Sequence, residues 1–79
     1  MGNIWYKDKK SESMTEIVEN FRRNPNPINR KKMFDLIPEK LAFGLEEQIF
    51  KYEKANTAYT MELGIVRIKE YLRDSMQYK

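Results

Sequence analysis

The sequence predicts an all-α fold: a small helical domain in which two short N-terminal helices pack on a long C-terminal helix, itself continuous, kinked or broken. Apolar residues between Met14 and Phe21 recur at i, i+3, i+4 and i+7, the spacing of one helix face. Prolines occur only at positions 25, 27 and 38, so long stretches contain no such helix breaker. No segment alternates apolar and polar residues as a strand does, and β-branched residues never cluster.

The composition is that of one soluble, globular domain spanning 1–79. Hydrophobic residues make up 41% of the chain and charged residues 34%. A chain of this length buries only about 60% of the surface that it exposes when unfolded. Small domains often gain stability from a disulfide or a metal, but this chain contains no Cys and no His. We therefore expect no metal and no cofactor, and association with another chain remains as a source of stability.

The N-terminal part contains an irregular segment and then a helix. Residues 1–12 show no periodic pattern and are interpreted as an irregular arm. A helix is predicted over 14–23, because Ser13 and Glu16 have the spacing of a capping box. It ends at the Asn-Pro-Asn-Pro stretch of 24–27, since proline lacks an amide hydrogen and disfavours helix in the residue before it.

Two further helices are predicted after these prolines. Asn29 is the predicted cap of a short helix over 30–37, which Pro38 ends. Proline also suits the first turn of a helix, so a third helix is predicted over 38–77. The two short helices and the first half of the third are predicted to share one core, formed by Ile17, Phe21, Phe34, Ile37, Leu41, Leu45 and Ile49.

The apolar face of the third helix changes sides along its length. At about 100° per residue, the apolar residues of 41–52 fall on one side and those of 61–76 on the opposite side. Either the helix breaks at 55–57, with Thr57 as a new cap, or one helix packs on different sides at its two ends. We prefer the continuous helix, because most residues around this point are good helix formers. Such a helix, about 60 Å long, exceeds what two short helices can cover.

The residue types do not assemble a catalytic site. Without His or Cys the chain lacks the usual general base, the best transition-metal ligands and the thiolate nucleophile. Among the neighbouring acids at 46–47 and at 70 and 74, Glu47 has Lys51 four positions away and Glu70 has Arg67 and Arg73 three positions away, as on a solvated helix face. No glycine-rich phosphate loop is present. We predict that the protein is not an enzyme.

The leading functional hypothesis is a non-enzymatic protein interaction module that serves as a regulator, an adaptor or an inhibitor. Trp5 and Tyr6 are candidate contacts to a partner protein, because aromatic residues often dominate interfaces. Alternatively, they fold back and fill a groove between helices. Apolar residues in the second half of the third helix recur at spacings close to a heptad pattern. This seam predicts a homodimer and is formed by Met61, Ile65, Ile68, Leu72 and Met76.

The alternative hypothesis is a small nucleic-acid-associated protein. The net charge is +3, and the basic excess lies in the N-terminal part. Cations near a helix N-terminus can bind phosphates, and the candidates here are Arg22, Arg23, Arg30, Lys31 and Lys32. Nucleic acid is not favoured as a partner, because charged residues at helix ends usually serve solubility. The helix after Pro38 also begins with core-like residues, Phe43 among them, rather than with the polar residues that read DNA.

The sequence shows neither a signal peptide nor a membrane span. The longest uninterrupted apolar runs are three residues. We therefore expect a cytoplasmic protein with no membrane partner. Ten lysines against five arginines, with abundant Asn, Ile and Tyr, are typical of an AT-rich bacterial or phage genome.

Overall fold

Four α-helices and one short 3-10 helix make up the part of the chain that a computed structural model describes, residues 13–77. The α-helices are α1 (Met14–Arg23), α2 (Pro27–Phe34), α3 (Ala42–Glu53) and α4 (Ala58–Met76), and the 3-10 helix is Glu39–Leu41. No strand occurs between residues 13 and 77, and the predicted all-α fold is confirmed. The predicted irregular arm, 1–12, lies outside the described residues.

The first helix, α1, has the bounds that the sequence predicts. Its start is a complete capping box: the Glu16 N–H donates to Ser13 Oγ at 3.2 Å, and the Ser13 N–H donates to Glu16 Oε1 at 3.3 Å. These two bonds satisfy amides that the first turn of a helix otherwise leaves unpaired. The inner side of α1 buries Ile17, Val18 and Phe21.

The second helix, α2, occupies Pro27–Phe34 instead of the predicted 30–37. Its cap is Asn26, whose Oδ1 accepts the N–H of Asn29 at 2.8 Å. Pro27 stands in the first turn, where a missing N–H leaves no hydrogen bond unmade. Asn29, the predicted cap, instead donates its side-chain amide to backbone carbonyls at the end of α1, which ties the two helices together.

The preferred prediction of one helix over 38–77 is wrong, and the alternative with a new cap at Thr57 is the one that the chain adopts. The 3-10 helix precedes α3, α3 ends at Glu53, and α4 begins after Thr57. The Thr60 N–H donates to Thr57 Oγ1 at 3.1 Å, and the Thr57 N–H donates to Thr60 Oγ1 at 3.2 Å. Folding back at this turn directs both apolar sides into one core, whereas a straight helix holds them apart.

The apolar sides of all four helices meet in one core. α1 packs against α2 and α4, and α3 packs along α4. Five of the seven predicted core residues are buried, whereas Phe34 and Leu41 are half-buried at the edge. The buried set is Ile17, Val18, Phe21, Met33, Ile37, Leu45, Ile49, Ile65, Ile68 and Leu72. Each large aliphatic or aromatic side chain in it contributes about 1.5 to 3 kcal/mol by leaving water.

Candidate protein interface

Two glycines let α3 and α4 approach closely. A Cβ atom on Gly64 would lie 3.1 Å from the Cα atom of Tyr52, and a Cβ atom on Gly44 would overlap the side chain of Tyr71. Tyr71 is held in place because its hydroxyl donates to the Leu41 carbonyl at 2.8 Å. The side of α3 that faces α4 is thereby filled, and the opposite side of α3 faces solvent.

The outer side of α3 carries two exposed phenylalanines. Phe43 and Phe50 are seven residues apart and therefore lie on one side of the helix, 78% and 56% exposed. Leu45 and Ile49 fill the inner side, so this core does not require either ring. On α4, Leu63 is 36% exposed and lines the same groove as Phe50. The surface formed by Phe43, Phe50 and Leu63 is termed the aromatic face.

Two open grooves adjoin the aromatic face, and Phe50 lines both. The acidic groove, of about 320 Å³, is formed by Phe43 and Phe50 with Arg30, Glu46, Glu47 and Glu53. The basic groove, of about 560 Å³, runs between α3 and α4 and is formed by Phe50 and Leu63 with Glu47, Lys51, Lys54 and Arg67. The first groove has an excess of negative charge and the second an excess of positive charge.

The charged residues of these grooves are exposed, except for Arg30, which is half-buried. The Arg30 guanidinium lies 3.6 Å from a carboxylate oxygen of Glu46, and Lys54 Nζ lies 5.0 Å from the centre of the Phe50 ring. Within residues 13–77, Lys51 and Arg67 form no ion pair. These cations remain available to a partner.

The residues predicted to bind a partner protein do not form one surface. Trp5 and Tyr6 lie outside the described residues. In the predicted seam, Met61 is 43% exposed and Met76 is half-buried. The prediction is wrong for the three members that are buried in the core of their own chain, namely Ile65, Ile68 and Leu72. The prediction assumed a continuous helix whose second apolar side is not covered by its own chain. Because the chain folds back at the turn before α4, that side packs in the core instead.

Two of the candidate phosphate-binding residues, at the end of α1, contact groups of the same chain. Arg22 forms an ion pair with Glu62 of α4 and a longer one, 3.6 Å, with Glu19. The hydrogen bond to Glu62 raises the pKa of Arg22 above its ordinary value. Arg23 donates to Asn20 Oδ1 at 2.8 Å.

The other three candidates lie on α2. Arg30 lies 3.6 Å from a Glu46 carboxylate oxygen, Lys31 Nζ lies 3.1 Å from Asp35 Oδ2, and Lys32 is exposed. Carboxylates of the same chain thus balance the charge of Arg30 and Lys31. The basic segment is therefore not a row of cations that point together at a ligand.

An ion pair joins the middle of α1 to α4. Lys69 Nζ donates to Glu19 Oε2 at 2.9 Å, with each side chain 29% exposed. This hydrogen bond holds the pKa of the Glu19 carboxyl below its ordinary value. Because Arg22 reaches Glu62 at the other end of the contact, α1 and α4 run antiparallel. Within residues 13–77, α1 and α4 cover each other and do not cover the aromatic face.

The described range, 13–77, offers no cluster of three or more acidic residues placed to hold a metal ion. Within the same range, every buried side-chain nitrogen or oxygen has a hydrogen-bond partner, so no orphaned polar atom marks a ligand. None of α1 to α4 is both long and apolar enough to cross a bilayer.

Comparison with known proteins adds no family to this geometry. No protein-family model, curated protein or solved structure matches the chain. The functional conclusion therefore depends on the aromatic face and the two grooves beside it.

Sequence reasoning missed the aromatic face, although the pattern contained its signal. At about 100° per residue, Phe43 and Phe50 fall roughly 140° to 160° away from Leu45, on the side opposite the predicted core. The start of the helix after Pro38, which includes Phe43, is interpreted from the sequence as mostly core-like. The position of Phe43 on the helical wheel was the better guide than its neighbours in the chain.

Proposed function

We propose that this protein is a non-enzymatic interaction module that binds a partner protein through the aromatic face and thereby acts as a regulator, an adaptor or an inhibitor. The exposure of Phe43 and Phe50 carries the proposal. Apolar surface in contact with water is unfavourable by about 25 cal/mol per Å², and the core does not use these rings. Covering them with a partner removes that unfavourable contact.

The surroundings of the aromatic face support the same proposal. Interfaces combine an apolar, aromatic centre with a polar rim. Here the acidic groove lies on one side of Phe50 and the basic groove on the other, which supplies such a rim. Catalysis is not part of the proposal, because the chain contains no His or Cys and the carboxylates and amines of the grooves are exposed to water.

The test is affinity capture from an extract of the source cell, followed by mass spectrometry. The double variant Phe43→Ser with Phe50→Ser is expected to lose proteins that the wild type retains. Ile28→Ser is the matched control, because Ile28 is apolar and 69% exposed on α2 but lies outside the aromatic face. Circular dichroism verifies that both variants fold. An identical set of bound proteins for the double variant and the wild type would contradict the proposal.

Nucleic-acid binding is the alternative proposal, and the ion pairs make it the less favoured one. Phosphates would have to displace the carboxylates that contact Arg22, Arg30 and Lys31. A gel shift with mixed DNA at two salt concentrations separates the two proposals, since binding driven by phosphates falls steeply with salt. A strong shift that salt abolishes would favour the alternative.

A further inference from the structure

The two sides of the aromatic face differ in net charge. On α3, Glu46 and Glu53 lie about 60° to one side of the two phenylalanines, whereas Lys51 and Lys54 lie about 90° and 30° to the other side, which also holds one acid, Glu47. Across the basic groove, Arg67 of α4 adds a further cation. From one edge to the other, the surface carries an acidic stripe, an aromatic stripe and a stripe of net positive charge, termed the basic stripe.

The outer charges of this surface have few partners of their own. Within residues 13–77, Glu53, Lys51 and Arg67 form no ion pair, and only Glu46 is paired, with Arg30 at 3.6 Å. An occupant that covers the aromatic face must place positive charge over one stripe and negative charge over the other. Like charges brought together at an interface are unfavourable by several kcal/mol, so this requirement is selective.

We infer that the occupant of the aromatic face is a second copy of this chain, bound so that the acidic groove of each copy lies against the basic groove of the other. The inference rests on the proposed function and names its partner. An acidic peptide complements only the basic groove, and a basic peptide complements only the acidic one. A second copy complements both, because an isologous pair presents the same surface twice.

The charge pattern also selects the orientation of the pair. A two-fold axis parallel to α3 exchanges the acidic and basic sides, so opposite charges meet. A two-fold axis that lies in the plane of the interface and crosses α3 at a right angle places the acidic side of one copy against the acidic side of the other. The two α3 helices therefore run parallel, with each phenylalanine opposite its own counterpart in the second copy. Phe43 faces Phe43, and Phe50 faces Phe50.

The first test is the mass of the full chain by light scattering coupled to size exclusion, at concentrations up to about 500 µM because the surface is small. The wild type is expected to rise from 9.6 kDa towards twice that mass. Phe43→Ser with Phe50→Ser is expected to weaken pairing at least about tenfold, whereas Ile28→Ser leaves it within about twofold. A wild type that stays at the monomer mass throughout overturns the inference.

A charge exchange tests the arrangement of the two grooves. One variant carries Lys51→Glu and Lys54→Glu, which makes both sides acidic, and the other carries Glu46→Lys and Glu53→Lys, which makes both sides basic. Each variant alone is expected to remain monomeric, and an equimolar mixture is expected to form a 1:1 heterodimer that salt weakens. A mixture with no heterodimer, or variants that pair as well as the wild type, contradicts the arrangement.

Disulfide trapping tests the parallel orientation. The chain contains no Cys, so Lys54→Cys, beside Phe50, introduces the sole thiol and keeps both phenylalanines. Under mild oxidation it is expected to form the cross-linked dimer at least about tenfold faster than Ile28→Cys, because the two thiols face each other across the axis. Equal rates would overturn the parallel pair.

These outcomes separate the inference from the proposed function. A monomeric wild type whose captured proteins are lost in the phenylalanine double variant refutes self-pairing but leaves the interaction module standing. A wild-type dimer that the double variant does not weaken refutes self-pairing through the aromatic face, and the capture experiment then decides the proposed function by itself.

Discussion

Two polar contacts of α1, one within the helix and one to α4, differ in whether the sequence could predict them. The Ser13 and Glu16 capping box could be predicted, because its two residues are three positions apart and their types and spacing define it. The pairing of Glu19 with Lys69 could not, since the two are 50 positions apart and only the folded chain brings them together. Residue-scale features were predictable where the partners are neighbours in sequence.

Glu19→Gln is expected to lower the free energy of unfolding by about 0.2 to 1 kcal/mol at pH 7, the range for exposed ion pairs. The pKa of Glu19 is lowered in the folded protein by the hydrogen bond from Lys69, relative to 4.5 for the free group. The stabilisation is therefore present above about pH 4.5 and is lost as the pH falls through the lower, folded-state pKa. The difference in free energy of unfolding between the wild type and Glu19→Gln should therefore disappear in acid.

Urea denaturation of the wild type and of Glu19→Gln at pH 7 and pH 2.5 measures this difference in free energy of unfolding. Glu70→Gln is the matched control, because Glu70 is an exposed carboxylate of α4 that forms no ion pair within residues 13–77. If Glu19→Gln lowers the free energy of unfolding as much at pH 2.5 as at pH 7, the charge of Glu19 is not the cause of the loss.

Gly44→Ala is expected to destabilise the wild type by about 1 to 3 kcal/mol, because the added methyl group overlaps the Tyr71 side chain. In a Tyr71→Ala background the same substitution is expected to stabilise by about 0.5 to 1 kcal/mol, since alanine favours helix over glycine and the obstacle is gone. Thermal denaturation of the four proteins in this double-mutant cycle measures the change of sign. Equal effects in the two backgrounds would mean that Tyr71 does not limit the space at Gly44.

At the scale of elements, the turn between α3 and α4 determines the architecture. Local propensity favours helix at Glu53 to Ala55, which is why the continuous helix was preferred. The cap at Thr57 was recognisable only as an alternative, because its partner is Thr60 in place of the Glu or Gln of the usual capping box. Burial of two apolar sides in one core outweighs a few tenths of a kcal/mol of propensity per residue. Tertiary packing, which no short window of sequence contains, decided this element.

Thr57→Ala is expected to reduce the free energy of unfolding by about 1 kcal/mol, because it removes the hydroxyl that accepts the Thr60 N–H. Thr57→Ser retains the hydroxyl and should remain within about 0.5 kcal/mol of the wild type. Urea denaturation monitored by circular dichroism measures both. If the serine variant loses as much stability as the alanine variant, the cap is not the source of the effect.

At the scale of the whole molecule, one core draws residues from every α-helix, and α4 contributes three wholly buried side chains. Most of this core was predictable, because the wheel of each helix shows which side is apolar. The candidate interface was not predicted, because the second apolar side of the long segment was assigned to a partner chain. The turn at 54–57 places that side in the core, and the large apolar side chains of α3 that stay exposed are Phe43 and Phe50.

Ile68→Glu is expected to unfold the chain rather than to yield a folded monomer, because Ile68 is 0% exposed and the carboxylate would be buried without a partner. Val66→Glu is the matched control on the same helix, since Val66 is 41% exposed and its substitution should leave the helical circular dichroism unchanged. A cooperative, wild-type melting transition for Ile68→Glu would place Ile68 outside the core.

The different burial of two methionines has a consequence for the protein under oxidation. Met61 is 43% exposed, so peroxide can convert its thioether to the sulfoxide while the protein is folded. Met33 is 0% exposed, and its sulfur reacts only when the core opens. The sulfoxide is polar and does not fit an apolar core, so a chain oxidised at Met33 cannot close again as before. Each opening in the presence of oxidant therefore removes some molecules from the folded population until an enzyme reduces the sulfoxide.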